Sequence, residues 1–308
     1  MRTRIDPGVF PTVECSAPVG AAQRYRRRMG IEILRYTAFA AEPGGGNPAG
    51  LVLDAAALSD DEMLAVARQV GYPETAFVVG ATATGPRVRY FSPGAEVPFC
   101  GHATVALGVA IAEREGIGTR VFTTAAGPVS LDATTGADGT VQVAMTSVEP
   151  DSRAVEPGRL TRLLDLLGLV PGDVAPGFPV LESFAGNWHP LVVLHDSELF
   201  HQFRFDPVPL AALKQESGWH GTVTVLHRTG EREYEARNLF PVGRITEDPA
   251  TGSAAAATGA YLREVGAVAA GDRVTIRQGR HVGRPSVLLV DVPASGGITV
   301  TGTATPIE

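Results

Sequence analysis

The sequence predicts an α+β protein of two pseudo-repeated halves, each a mixed β-sheet rolled around a central α-helix. Three observations carry that expectation. Residues 88–113 (VRYFSPGAEVPFCGHATVALGVAIAE) and 236–264 (ARNLFPVGRITEDPATGSAAAATGAYLRE) follow one plan: a strand of the pattern Arg-x-apolar-x-Pro, a loop, and a small-residue helix with a Gly/Ser/Thr-rich entry. Arg89, Phe91 and Pro93 recur as Arg237, Leu239 and Pro241 at a constant offset of 148 (237 − 89). The two helices, from about His102 to Glu115 and from about Thr251 to Val265, are rich in small residues on nearly every face, which places each at a core centre.

The elements follow in order. Ile31 to Phe39 reads as a strand, its apolar residues split by Glu32 and Arg35. After the loop at Gly44–Gly46, Ala49 to Leu53 is wholly apolar and reads as a buried strand. Ser59 with Glu62 forms a capping box, Met63, Leu64, Val66, Ala67 and Val70 continue at helical spacing, and Gly71 closes the helix. Thr75 to Val79 and Arg87 to Phe91 are strands before the first central helix; Val121 to Thr124, Val129 to Leu131 and Val141 to Met145 follow it. Prolines punctuate a linker, 151–180, with a short helix from Leu160 to Leu167. The second half restarts where Asn187, Pro190 and Leu191–Leu194 echo Asn47, Pro48 and Gly50–Leu53. Glu198 to Phe203 and Leu210 to Glu216 fill the slot of the capped helix, and Arg273 to Gln278 and Ser286 to Val292 are strands. The expected organisation is a tail (1–30), a first half-domain (31–150), the linker (151–180) and a second half-domain (181–308), with C-terminal strands free to pack back on the first. The arginines of the tail come late, the wrong order for a secretory signal, so the tail reads as disordered or as lying upstream of a true start at Met29.

Composition narrows the function classes. A net charge of −7 disfavours a general nucleic-acid binder, and no uncharged apolar run is long enough for a membrane span. Two cysteines, Cys15 and Cys100, make neither a disulfide framework nor a metal-type spacing, and a cytoplasmic location is expected.

A ligand of a two-copy fold belongs where the copies meet, and the two helix entries are the candidates for that cleft. Helix starts present unpaired N–H groups and partial positive charge. Gly101 and Gly252 allow close approach of a ligand, and Thr104, Thr251 and Ser253 add hydroxyls, so the entries either cap their helices or clamp a carboxylate. Glu74 precedes a buried-looking strand, where a desolvated carboxyl can shuttle protons; the alternative is an exposed turn glutamate. Asp248 either caps the second helix or holds a substrate amine or hydroxyl. His102, in a first helical turn, is either a packed structural residue or a neutral hydrogen-bonding group. Cys100 sits where thiolates are stabilised, but the second half offers Pro249 and Ala250 opposite it rather than a matching thiol.

Five ordered motifs make the chain resemble the phenazine-biosynthesis PhzF-like family, within the diaminopimelate epimerase fold: FAAEPGGGNPAGLVL (39–53), YPETAFV (72–78), VPFCGHATVALG (97–108), EDPATGSAAAATGAYL (247–262) and QGRHVGRPSVLLV (278–290). The resemblance implies an isomerase that uses no cofactor and no metal, with its site between the halves and a homodimeric assembly. It assigns the proton-shuttling glutamate to Glu74, the GHAT histidine to His102, the DPATGS aspartate and serine to Asp248 and Ser253, and backbone donors to Gly101 and Gly252; Asn47 and Thr251 join the substrate-binding set. In the family's best-known reaction a proton moves between two carbons of dihydro-hydroxyanthranilic acid, and the enol then tautomerises to a ketone. Racemase relatives use a thiol from each half, and this chain offers Cys100 alone, so one carboxylate acting on one face is favoured. The expected partner is a small carboxylate-bearing substrate, not nucleic acid or membrane. The alternatives are an epimerase or racemase using Cys100, and a non-catalytic small-ligand binder. Specificity is expected from the loops at Gly44–Gly46 and Asn187–His189.

Overall fold

Strand follows strand through most of the chain, because β-branched and aromatic residues alternate with glycine and proline turns. The computed structural model describes residues 31–308 apart from residues 84, 243 and 244, and the expected tail at 1–30 lies outside the described residues. The first half runs β1 (Leu34–Ala38), β2 (Asn47–Val52), α1 (Asp60–Val70), β3 (Glu74–Thr82), β4 (Gly85–Phe91), β5 (Glu96–Val97), α2 (Gly101–Glu115), β6 (Gly118–Thr124), β7 (Gly127–Thr135) and β8 (Val141–Thr146). The second runs β9 (Asp151–Ala154), α3 (Pro157–Leu166), β10 (Leu181–Phe184), β11 (Trp188–Leu194), α4 (Ser197–Gln202), α5 (Pro207–Ser217), β12 (Val223–Arg228), β13 (Glu233–Val242), β14 (Ile245–Asp248), α6 (Gly252–Glu264), β15 (Asp272–Gln278), β16 (Ser286–Val292) and β17 (Thr299–Pro306). The capping box of α1 is present, and Gly71 ends that helix at φ 72°.

Strands β1, β2, β3, β4, β6, β7 and β8 pair in that order, and β17 closes the ring by pairing with both β8 and β1. The second sheet runs β9, β10, β11, β12, β13, β15, β16 and again β17. Helices α2 and α6 run through these two sheets, buried without interruption from His102 to Ala112 and from Ala254 to Leu262. One glycine in each seats it on its strands: a Cβ on Gly108 would stand 3.2 Å from Val143, and one on Gly259 2.7 Å from Val290 and 2.8 Å from Ile298. A single apolar core joins both central helices, and a second gathers Leu163, Phe200, Leu213 and Trp219.

Strand register makes the repeat explicit. Thr75 pairs with Phe91 as Val223 pairs with Leu239, which preserves the offset of 148 (223 − 75) and sets Glu74 against Thr222. Tyr90 pairs with Val97 as Asn238 pairs with Asp248, so the offset widens to 151 (248 − 97) across a longer hairpin. Cys100, Gly101, His102 and Gly108 therefore correspond to Thr251, Gly252, Ser253 and Gly259. This corrects the expected match of Cys100 to Pro249 and Ala250, while the counterpart is still not a thiol. Residues 151–180, expected as a linker, carry β9, paired with β10, and α3, which buries Leu163 and Leu164. No helix of the described residues is long and apolar enough to cross a membrane.

Candidate active site

The central helices begin face to face. A Cβ built on Gly101 would lie 3.9 Å from the Gly252 Cα. Cys100 and Thr251, the residues before the two helices, are extended, and neither side chain caps its helix. Two positive helix ends thus converge without a carboxylate of the chain between them as a cap. Packing does not require the glycines: a side chain on Gly252 would meet nothing within 4 Å, and one on Gly101 would make ordinary contacts only. Their missing side chains leave backbone open to approach from outside the chain.

Glu74 opens β3 immediately after the Gly71 stop, so its carboxyl sits at the mouth of a buried strand rather than on an exposed turn. Its Oε2 lies 3.4 Å from both Cys100 Sγ and His102 Nε2, and Cys100 Sγ lies 3.3 Å from His102 Nδ1. Burial pushes the Glu74 carboxyl up to about 7; the Asp248 charge adds to this and the Cys100 hydrogen bond opposes it. Burial also pulls the His102 imidazole down to about 4, so it is neutral, with a hydrogen bond to the Pro48 backbone working the other way. The Cys100 thiol is raised well above its ordinary value, first by burial and then by the Glu74 charge. Glu74 keeps 21% of its side chain exposed and lines a cavity of about 700 Å³ together with Tyr72, Pro73, Phe240, Pro249 and Arg284.

Asp248 does not cap α6. It accepts from Thr251 Oγ1 at 2.5 Å and from Asn47 Nδ2 at 2.9 Å, while its own carbonyl accepts from Gln278 Nε2 at 2.6 Å. Asn47 also donates to the Ala250 carbonyl at 3.0 Å, so it ties β2 to the entry of the second helix. Both of these partners are acceptors, which fixes the amide orientation and leaves Asn47 Oδ1 buried with no partner. Burial raises the Asp248 carboxyl to about 6 against the Thr251 and Asn47 hydrogen bonds.

The structure thus gathers Glu74, Cys100 and His102 into one group, and Asn47, Asp248 and Thr251 into another. Ser253 turns elsewhere: its hydroxyl meets His189 Nε2 at 3.2 Å, and His189 Nδ1 accepts from the Thr222 N–H at 3.0 Å. Where the first half sets Glu74 against His102, the second half sets Thr222 and Ser253 around His189. The roles of Thr222, Gln278 and Arg284 are not apparent in the sequence, and His189, expected in a specificity loop, is instead buried in β11. His189 occupies the repeat position of Ala49, visible only once Leu51–Ala76 and Leu191–Thr224 are aligned as pairs. Glu74, Cys100 and His102 each present a donor atom within 4.8 Å of the others, and a metal there would have to displace the proton that burial keeps on the thiol.

The profile of the PhzC-PhzF family, phenazine biosynthesis-like protein, matches residues 36–308. The chain belongs to this family. An uncharacterized isomerase YfhB of Bacillus subtilis (strain 168) is 32% identical over 286 residues, covering 89% of this chain and 95% of that protein. The trans-2,3-dihydro-3-hydroxyanthranilate isomerase of Pseudomonas chlororaphis is 28% identical over 252 residues, covering 82% and 86%. The crystal structure of a PhzF-family phenazine biosynthesis protein from Bacillus anthracis superposes with a TM-score of 0.80 at 26% identity, over 90% of this chain and 97% of that one. The expected family and fold therefore hold, and this PhzF-family protein is an isomerase.

Proposed function

We propose that this PhzF-family isomerase moves a proton between two carbons of a small, amino-acid-like carboxylate, cyclic members included, with Glu74 as the acid/base. The observation that supports this reading is the Glu74 carboxyl, raised to about 7 at the wall of the cavity and 3.4 Å from His102. Near neutral pH such a group is populated in both forms, which suits a residue that must take up a proton and give it back. Ionised Glu74 removes a proton from a substrate carbon, and the electron pair moves into the adjoining conjugated system. Protonated Glu74 then returns the proton to a second carbon, so the atoms balance as an isomerisation. The facing helix starts hold the substrate carboxylate, Asp248 with Asn47 holds an amine or hydroxyl, and neutral His102 contributes one hydrogen bond. The Pseudomonas chlororaphis relative, named for its action on trans-2,3-dihydro-3-hydroxyanthranilate, makes that compound the first substrate to try.

The test is deuterium incorporation in D₂O, followed by NMR, over a panel of cyclic and acyclic amino and hydroxy acids led by that compound. Wild type is expected to place deuterium at carbon, and Glu74→Gln to lose the exchange by on the order of 10²–10⁴-fold while still binding ligand. Equal exchange in the variant would sink the role of Glu74.

A second reading, epimerisation through Cys100, has one observation in its favour: the thiol lies within 3.4 Å of Glu74. Its raised pKa and its counterpart Thr251, which cannot ionise, weigh against it.

A further inference from the structure

The chain holds 26 Lys and Arg residues, and Lys214 is the single lysine. It lies in the last turn of α5, where a basic residue ordinarily reaches solvent or the helix-end carbonyls. Lys214 bonds none of those carbonyls and is only 6% exposed. Among the described residues it has no ion pair and no hydrogen bond; its ammonium stands over the Phe240 ring, 4.2 Å from the centroid. A ring face offsets only part of the cost of burying a charge. Lys214 and Phe240 line a cavity of about 280 Å³ with Ala211, Gln215, Trp219 and Pro241, a wall without a carboxylate. The Trp219 indole N–H, from the same wall, is buried without a partner. Burial lowers the Lys214 amine to about 8.

We infer that this cavity is a binding site for a small organic monocarboxylate with a flat apolar body. A carboxylate would neutralise the ammonium, and an apolar body would cover Phe240 and Pro241. The volume, below the roughly 300–1,000 Å³ of sites for drug-sized ligands, restricts the ligand to about the size of benzoate. The site is separate from the Glu74 cavity but shares Phe240 with it as a common wall. Burial lowers the His189 pKa and the Lys214 charge adds a smaller push the same way, so an anion bound here would alter the field at the partner of Ser253.

Because lysine occurs once, protein labelled with ε-¹³C lysine gives one lysine side-chain signal, and benzoate is the probe. The expected result is a saturable shift of that signal at millimolar benzoate, kept in Gly252→Ala, which obstructs the helix starts of the active site, and lost in Ala211→Phe, which fills the cavity but leaves the amine. A stationary signal, an unchanged response in folded Ala211→Phe, or loss of the response in Gly252→Ala would overturn the inference. Lys214→Met, an apolar replacement of similar length, gives an independent measure by calorimetry: benzoate affinity at least tenfold weaker supports the site, and equal affinity refutes it.

Discussion

Two glycines seven residues apart on α6 separate what the fold needs from what a ligand needs. A Cβ on Gly259 would come within 2.7 Å of Val290 and 2.8 Å of Ile298, whereas one on Gly252 would meet nothing within 4 Å. Neither glycine has a positive φ. Gly259→Ala should therefore destabilise by about 1–3 kcal/mol through overpacking. Gly252→Ala should stabilise by up to about 1 kcal/mol, because alanine loses less backbone entropy in a helix. For a chain of this size that gain raises Tm by up to about 1.5 °C. Activity should move the other way. The two helix starts lie close together, a Gly101 Cβ standing 3.9 Å from the Gly252 Cα, and a Gly252 methyl would enter the open space beside them. A methyl there would push a bound carboxylate off the helix start, and displacement by about 1 Å costs on the order of 10²-fold in rate. The assay pairs thermal melts with carbon–deuterium exchange on the substrate that the D₂O panel identifies. A Gly252→Ala enzyme that is more stable yet within threefold of wild-type kcat/KM would refute the reasoning that the helix starts hold the substrate.

Other expectations follow from burial and charge. Glu74 has a folded pKa near 7, above its ordinary 4.5, so the folded state binds the extra proton and stability falls as pH rises from about 4 to 7. Glu74→Gln should remove that slope and be on the order of 3 kcal/mol more stable than wild type at pH 8, relative to their difference at pH 4, as read by denaturant titration at both values. The two halves carry the same ion pair at different depths: Arg89 with Glu96 is part-exposed, and Arg237 with Glu247 is buried, its guanidinium also donating to the Phe200 and Phe203 carbonyls. Arg237→Met should cost about 3–5 kcal/mol and Arg89→Met less than about 1 kcal/mol; similar urea midpoints would contradict this account. Cys100→Ser should leave proton exchange within tenfold of wild type, and its abolition would favour the thiol reading.

The central helices were legible because small residues on every face leave no polar side to expose, and α1 because Ser59 and Glu62 are local signals. Sequence reading missed features that depend on distant pairing. β17 includes Gly302 and Pro306, poor strand residues, yet Gly302 belongs there because a Cβ would strike the Phe39 ring at 2.2 Å. The counterpart of Cys100 was misread because the β13–β14 hairpin has seven residues between the paired Leu239 and Glu247, against four between Phe91 and Glu96, a shift that only register reveals. Glu74, His102 and Asp248 stood out as chemical residues in short motifs. The Asn47–Asp248 hydrogen bond, 201 positions long, and the His189–Ser253 contact have no local signature.

The shared strand β17 also bears on synthesis. It is made after every other strand, yet β1 and β8 of the first sheet both pair with it. On the ribosome the N-terminal sheet therefore waits with two unsatisfied edges until the C-terminal residues emerge. Such edges are templates for pairing between nascent chains. Until β17 emerges, the opening half carries both edges bare, and a chaperone that shields β1 and β8 during translation would act at that step.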